Sequence, residues 1–147
     1  MNRRRQKKLS KKLVAAATFG DSIRINALLR AGARPEISDT EGTTPLYAAS
    51  VNGADDNVLC LLAAGALPDT ESGRGAEGTP LCAAACWGHT ETVRTLLDHG
   101  ADPNLREDHG MGRSPLEWAM TGPYPETLAI LLAAGAGPHD RAGRPVS

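Results

Sequence analysis

The sequence predicts an all-α solenoid built from four short helix-turn-helix units. Three observations lead there. A Leu-Leu-x-x-Gly-Ala hexad occurs at Leu28, Leu61, Leu96 and Leu131, with its glycines (Gly32, Gly65, Gly100, Gly135) 33, 35 and 35 residues apart. A Thr-Pro-Leu or Ser-Pro-Leu triplet runs in phase with it, at Thr44-Pro45-Leu46, Thr79-Pro80-Leu81 and Ser114-Pro115-Leu116. The third is composition: 41% of the 147 residues are hydrophobic but only Phe19, Tyr47, Trp87, Trp118 and Tyr124 are aromatic. A core of Ala, Leu, Val and Ile requires its elements to approach closely, which suits helix on helix. Self-similarity at a fixed period of this length is the mark of stacked repeats, and the chain length suits one domain.

Each unit reads as a helix pair. Thr or Ser before Pro starts the first helix: the hydroxyl accepts from an orphan amide and the proline has no amide hydrogen to leave unpaired. Ser114-Pro115-Leu116-Glu117 also has capping-box spacing. Gly20, Gly53 and Gly88 lie twelve residues before the later glycines, and Gly53 and Gly88 end the first helices of their units. The second helices carry apolar residues at i, i+3 and i+4: Ile25, Leu28, Leu29; Val58, Leu61, Leu62; Val93, Leu96, Leu97; Leu128, Leu131, Leu132. That is one buried stripe per helix. Ala48-Ala49 and Ala83-Ala84 leave room for tight packing of first helices. One such pair cannot bury its own apolar face, and about three stacked units are needed for stability.

Read along the chain, residues 1–11 form a basic arm, residues 12–136 the repeats (about 12–36, 43–69, 78–104 and 113–137), and residues 137–147 a disordered tail without periodicity. Residues 1–12 hold seven basic groups and no acid. Residues 13–147 therefore keep nine basic against seventeen acidic groups, a net −8 within an overall −1. The basic stretch ahead of Leu13-Val14-Ala15-Ala16-Ala17 has too short and too alanine-rich an apolar segment for a secretory leader. No apolar run reaches the ~18 residues that span a bilayer. Three cysteines make no complete disulfide framework and point to a reducing, cytoplasmic compartment.

The combined pattern resembles the ankyrin repeat. The third unit carries it most fully: Gly78-Thr79-Pro80-Leu81-Cys82-Ala83-Ala84, Gly88-His89, Leu96-Leu97 and Gly100-Ala101-Asp102-Pro103-Asn104. The resemblance covers about residues 12–136. It implies an L-shaped stack with β-hairpin fingers between units and a concave face that holds other proteins. This chain departs from the pattern in several places. The histidine usual two residues after the proline is Tyr47, Cys82 and Glu117 here. Finger loops 72–78 and 107–113 each carry about two extra residues. In the fourth unit Gly122-Pro123 takes the place of Gly-His and Trp118 that of the first alanine, so that pair is expected to be tilted or loosened.

Little in the sequence resembles catalytic machinery. Cys82 and Cys86 lie one helical turn apart with His89 beyond, but no second pair completes a tetrahedral metal site, and buried thiols in an alanine-rich helix are ordinary packing. Gly73-x-Gly75-x-x-Gly78 leads into a helical repeat rather than a βαβ unit, so it is not read as a phosphate cradle. His89, His99, His109 and His139 are scattered, with no nucleophile paired to a base. The expectation is a protein that is not an enzyme and takes no cofactor or metal. The basic arm lacks aromatic residues for base stacking and is attached to an acidic body, which argues against nucleic acid as the partner.

The expected function is a scaffold that binds another protein, one with a basic or mixed surface. Phe19, Asn52, Trp87 and Gly122 occupy one register position of successive units, and repeat packing requires no large aromatic there, so Phe19 and Trp87 are read as exposed anchors. Val51 and Cys86 share that surface. Finger residues Thr40, Glu41, Thr43, Arg74, Glu77, Asp108, His109, Met111 and Arg113 complete the candidate site. Two alternatives stand beside this reading: a regulatory or inhibitory subunit of an enzyme, and association of the arm with nucleic acid or an anionic membrane. The last unit, Ala129-Ile130-Leu131-Leu132-Ala133-Ala134, is apolar on more than one face, so either the tail covers it or the chain is a weak homo-oligomer rather than a monomer.

Overall fold

The structure, a computed structural model, describes residues 2–137. The expected tail, apart from Gly137, lies outside the described residues. Eight α-helices form four pairs among them: α1 Arg3–Phe19 with α2 Ser22–Arg30, α3 Pro45–Val51 with α4 Asp55–Ala63, α5 Pro80–Cys86 with α6 Thr90–Asp98, and α7 Pro115–Ala119 with α8 Pro125–Ala133. The pairs stack in two layers. First helices pack α1 on α3 on α5 on α7, and second helices α2 on α4 on α6 on α8. This is the all-α solenoid the periodicity predicts.

Local chemistry accounts for the boundaries. The hydroxyls of Thr44, Thr79 and Ser114 accept from the amides of Tyr47, Cys82 and Glu117, each at 3.2 Å, with proline at the first helical position. The four Gly-Ala pairs end the second helices identically. The amides of Ala33, Ala66, Ala101 and Ala136 return to the carbonyls of Leu28, Leu61, Leu96 and Leu131 within 2.9–3.0 Å, and each alanine is buried. Ile25, Val58, Val93, Leu61, Leu96 and Leu131 are inaccessible to solvent. Ala49, Ala84 and Ala119 are equally inaccessible between neighbouring first helices. A larger side chain there would force the layer apart.

Ring-on-glycine contacts join successive units. Gly53 (φ 62°) and Gly88 (φ 66°) combine a left-handed backbone with a close approach: a Cβ on Gly53 would strike the His89 ring, and one on Gly88 the Tyr124 ring. His89 Nε2 also lies 3.0 Å from the Val51 carbonyl oxygen. The ring that occupies the His89 position in the fourth unit is therefore Tyr124. The equivalent of Gly-His is Pro123-Tyr124, which corrects the expected Gly122-Pro123 register. The first helix of that unit is shortened to five residues, against seven in α3 and α5.

Other expectations differ from the structure. Residues 3–11 are not a separate arm but the first half of α1, with Leu9 and Ser10 buried. Gln6 Nε2 donates to the Gly32 carbonyl at 2.8 Å and Arg5 Nη2 to that of Ala31 at 3.5 Å, so this half is tied to the carboxyl end of α2, where a cation suits the helix dipole. Beyond the helices, the fingers are tight turns rather than β-hairpins. Among the described residues they contain one antiparallel bridge, Ser72 to Gly78, around a 3-10 turn Gly73–Gly75. Left-handed Arg74, Asp108 and His109 fold the extra residues of the longer fingers into turns too short for a ladder. In the last unit Leu132 is 56% exposed, whereas its counterpart Leu62 is 8% exposed, because no further helix pair follows it among the described residues.

Candidate functional site

Three fingers, residues 37–43, 70–78 and 105–113, stand beside one another at the amino ends of α3, α5 and α7, and hydrogen bonds link them into a row. Gly73 N donates to the Gly42 carbonyl (2.8 Å), Thr44 N to Ser72 Oγ (2.9 Å), and Thr43 Oγ1 to Glu77 Oε1 (2.8 Å). The amide of His109 donates to Glu71 Oε1 at 2.9 Å. The first half of α1 continues the row: Arg3 and Lys7 line a cleft of about 500 Å³ together with Asp39 and Thr40 of the first finger and Arg74 of the second.

The three departures at the usual histidine position each connect a helix to this row. The Cys82 thiol donates to the carbonyls of Arg113 (3.6 Å) and Leu105 (3.9 Å). Burial pushes that thiol up to about 12, which makes it a packing group rather than a nucleophile. Glu117 accepts from Arg106, whose other nitrogen donates to the Gly112 carbonyl at 2.8 Å and so braces the third finger. Tyr47 is half-buried, and burial first, then the Glu77 and Glu107 carboxylates, raises its phenol to about 12.

Tyr47 belongs to a pocket of about 130 Å³ between α3, α5 and α7. Its walls are Tyr47, Trp87 and Trp118, with Cys82, Ala83 and Cys86 from α5 and the carboxylates of Glu77 and Glu107 from the fingers. Three of the chain's five aromatic residues thus meet at one place. Both carboxylates are held. Glu77 Oε1 accepts from Thr43 and from Ser72 Oγ (2.9 Å), and Glu107 Oε1 accepts from the Trp118 indole (2.6 Å). A Cβ on Gly78 (φ 105°) would collide with the Glu107 carboxylate, so glycine is required there for both backbone and space. Burial, with the Glu71 carboxylate, raises the Glu107 carboxyl above its ordinary value, against the opposing pull of the indole hydrogen bond. Arg113 lies over the Trp118 ring at 4.7 Å from its centroid. It lines the adjoining cleft between the second and third fingers, with Asp108 and Gly112, rather than the pocket itself.

The candidate residues separate into groups. Trp87 (60% exposed), Cys86 and Glu77 share the aromatic pocket; Thr40 and Arg74 share the basic cleft; Asp108, Arg113 and Glu77 share the finger cleft. Phe19 is 90% exposed but sits in a hollow of its own beside Ala15, Gly20 and Arg24, apart from Trp87. Val51 is half-buried, Asn52 is exposed with its amide donating to the Ala48 carbonyl (2.8 Å), and Glu41, His109 and Met111 are exposed finger residues, as Thr43 partly is. Sequence reasoning missed Tyr47, Trp118 and Glu107, and Arg3 and Lys7 at the other end. A signal existed: Trp118 and Trp87 stand three and seven residues after their units' prolines, positions one turn apart on the same helix face.

A family model for ankyrin repeats, in three copies, matches residues 12–107 and 66–142. The chain belongs to the ankyrin-repeat family. It is 39% identical over 57 residues to potassium channel AKT2/3 of Arabidopsis thaliana and 36% identical over 59 residues to potassium channel SKOR of the same plant. These segments are about two fifths of this chain (39% and 40%) and 7% of each channel, so the likeness is to a small part of those proteins. Ankyrin repeats are in general modules that bind other proteins. Among the described residues no three His, Cys, Asp or Glu side chains gather as a metal cluster would, and no helix is long and apolar enough to cross a membrane.

Proposed function

We propose that this ankyrin-repeat chain is a non-catalytic scaffold that binds a protein partner through its finger row and the exposed ends of its first helices. The observation that carries the reading is the exposed Trp87 beside Tyr47 and Trp118. Trp87 is not among the rings packed against the core, and an exposed aromatic ring beside half-buried ones on a rigid frame is a typical interface anchor. Hydrogen bonds between fingers hold the surface in shape before binding, which lowers the ordering cost of association. Cys60, Cys82 and Cys86 are unpaired, in keeping with action in the cytoplasm.

The test is capture of partners from extracts of the source cell by the wild-type chain and by a Phe19→Ala/Trp87→Ala variant. Loss of a specific partner with little change in thermal unfolding is the expected outcome, since anchors of this kind contribute about 2 kcal/mol or more each. Unfolding of the double variant would mean that these rings support the stack, and retention of every partner would move the binding surface elsewhere.

A further inference from the structure

We propose that the pocket between Tyr47, Trp87 and Trp118 receives one cationic side chain, arginine or lysine, projecting from a basic segment of the bound protein, with Glu77 and Glu107 as its counter-charges. The proposal rests on the protein-binding reading and adds the chemistry of the partner. Three observations carry it. First, aromatic faces and carboxylates line the same small space, the combination that attracts a cation and repels an anion. Second, the Trp118 ring already has a guanidinium on it, that of Arg113, so the indole is shown in this chain to accept that geometry. Third, both carboxylates are oriented in advance by hydrogen bonds from Thr43, Ser72 and the Trp118 indole. A space of about 130 Å³ suits the end of a single side chain. Sites for whole small molecules run to roughly 300–1,000 Å³. The raised phenol of Tyr47 is due first to its burial, and the carboxylates of Glu77 and Glu107 add to it.

Trp87 and Trp118 are the only tryptophans in the chain, so intrinsic fluorescence reports on this pocket directly. The probe is an acetylated, amidated heptapeptide Gly-Gly-Ser-Arg-Ser-Gly-Gly, titrated beside the same peptide with uncharged citrulline in place of arginine. A saturable change with the arginine peptide and about tenfold weaker binding of the citrulline peptide are expected. Glu77→Gln and Glu107→Gln should each weaken the arginine peptide by about three- to fivefold, with circular dichroism unchanged; Ile23→Ala, exposed on α2, should have no effect. Equal response to both peptides, or no saturable response to either, would overturn the proposal. The wild-type comparison decides even where a glutamine variant fails to fold. A partner captured through Trp87 without any preference for arginine over citrulline would overturn the cation pocket and leave the protein-binding reading standing. Arginine preference with no Trp87-dependent partner would do the reverse.

Discussion

At one end of the finger row Arg3, Lys7 and Arg74 surround an open cleft of about 500 Å³; at the other, Tyr47, Trp87 and Trp118 close around about 130 Å³ with Glu77 and Glu107. The first end is made of long, exposed side chains on a helix surface and a finger tip. The second combines the half-buried Tyr47, Trp118 and Glu107 with the more exposed Trp87 and Glu77, and both carboxylates are held by hydrogen bonds. Exposed, flexible charges act over distance, guide encounter and are screened by salt within about 10 Å. Fixed, partly desolvated groups act on the bound state and set what it accepts. One scaffold can therefore separate attraction from recognition by placing each at a different end.

The contrast depends first on α1 being part of the stack. If residues 3–11 were a loose arm, the basic end would have no shape. Leu13 is inaccessible and Leu9 nearly so, and both lie on the helix that carries the cations. Leu13→Ala should cost about 3 kcal/mol of stability, within the range of large-to-small core changes, read as a lower midpoint in urea unfolding. Removal of residues 1–12 should also destabilise, because it takes Leu9 from the core. A truncated chain of unchanged stability would return those residues to the status of an arm and remove the comparison.

That helix also shows where the sequence was legible and where it was not. The four Gly-Ala ends, the Thr-Pro starts and the Leu stripes repeat, and repetition makes local chemistry readable; the ends and starts lie where expected, while in the stripes Leu28, Leu29, Leu97 and Leu128 are only partly buried and Leu132 is exposed. Lys7, Lys8, Lys11 and Lys12 read as a solvated arm because their charge dominates the pattern, while the stripe of Leu9, Leu13 and Val14 beneath them is brief. The aromatic pocket was legible only in part. Trp87 stands out because its position needs no aromatic ring. Tyr47 comes from the second unit, Trp118 from the fourth and Glu107 from the finger between the third and fourth; they meet only when α3, α5 and α7 stack, and no spacing within one unit reports that. Phe19 and Trp87 share a register position yet occupy separate hollows, because the partners of each ring come from its own neighbouring helices.

A smaller effect distinguishes the two ends by kinetics. Replacing Arg3, Lys7 and Arg74 together by glutamine should slow association of the captured partner about three- to tenfold at low salt and leave dissociation nearly unchanged, as loss of peripheral charge does. Stopped-flow mixing at two ionic strengths measures this. Substitution is the right change here, since truncation would disturb Leu9. Were dissociation to accelerate instead, the cations would be contact anchors and both ends would act on the bound state.

The smallest expected change uses the thiols. Cys82 and Cys86 are one turn apart on α5, but their surroundings differ: Cys82 is buried with its thiol on two carbonyls, whereas Cys86 is half-exposed at the pocket wall. Burial raises both, Cys82 to about 12, so at pH 8 Cys82 is held as the neutral thiol. A raised thiol is neutral across the whole range in which the protein is handled, so neither group makes stability depend on pH below about 8. N-ethylmaleimide at pH 8 should then leave native Cys82 unmodified, react slowly at Cys86, and label both after unfolding, as peptide mapping by mass spectrometry would read. Because Cys86 lines the same pocket as the two tryptophans, its adduct should occupy part of that space, alter their emission and reduce binding of the arginine peptide, while association steered by the basic end stays the same. An adduct on Cys86 that left arginine binding untouched would mean the cation enters elsewhere along the finger cleft, on the side where Arg113 already covers Trp118.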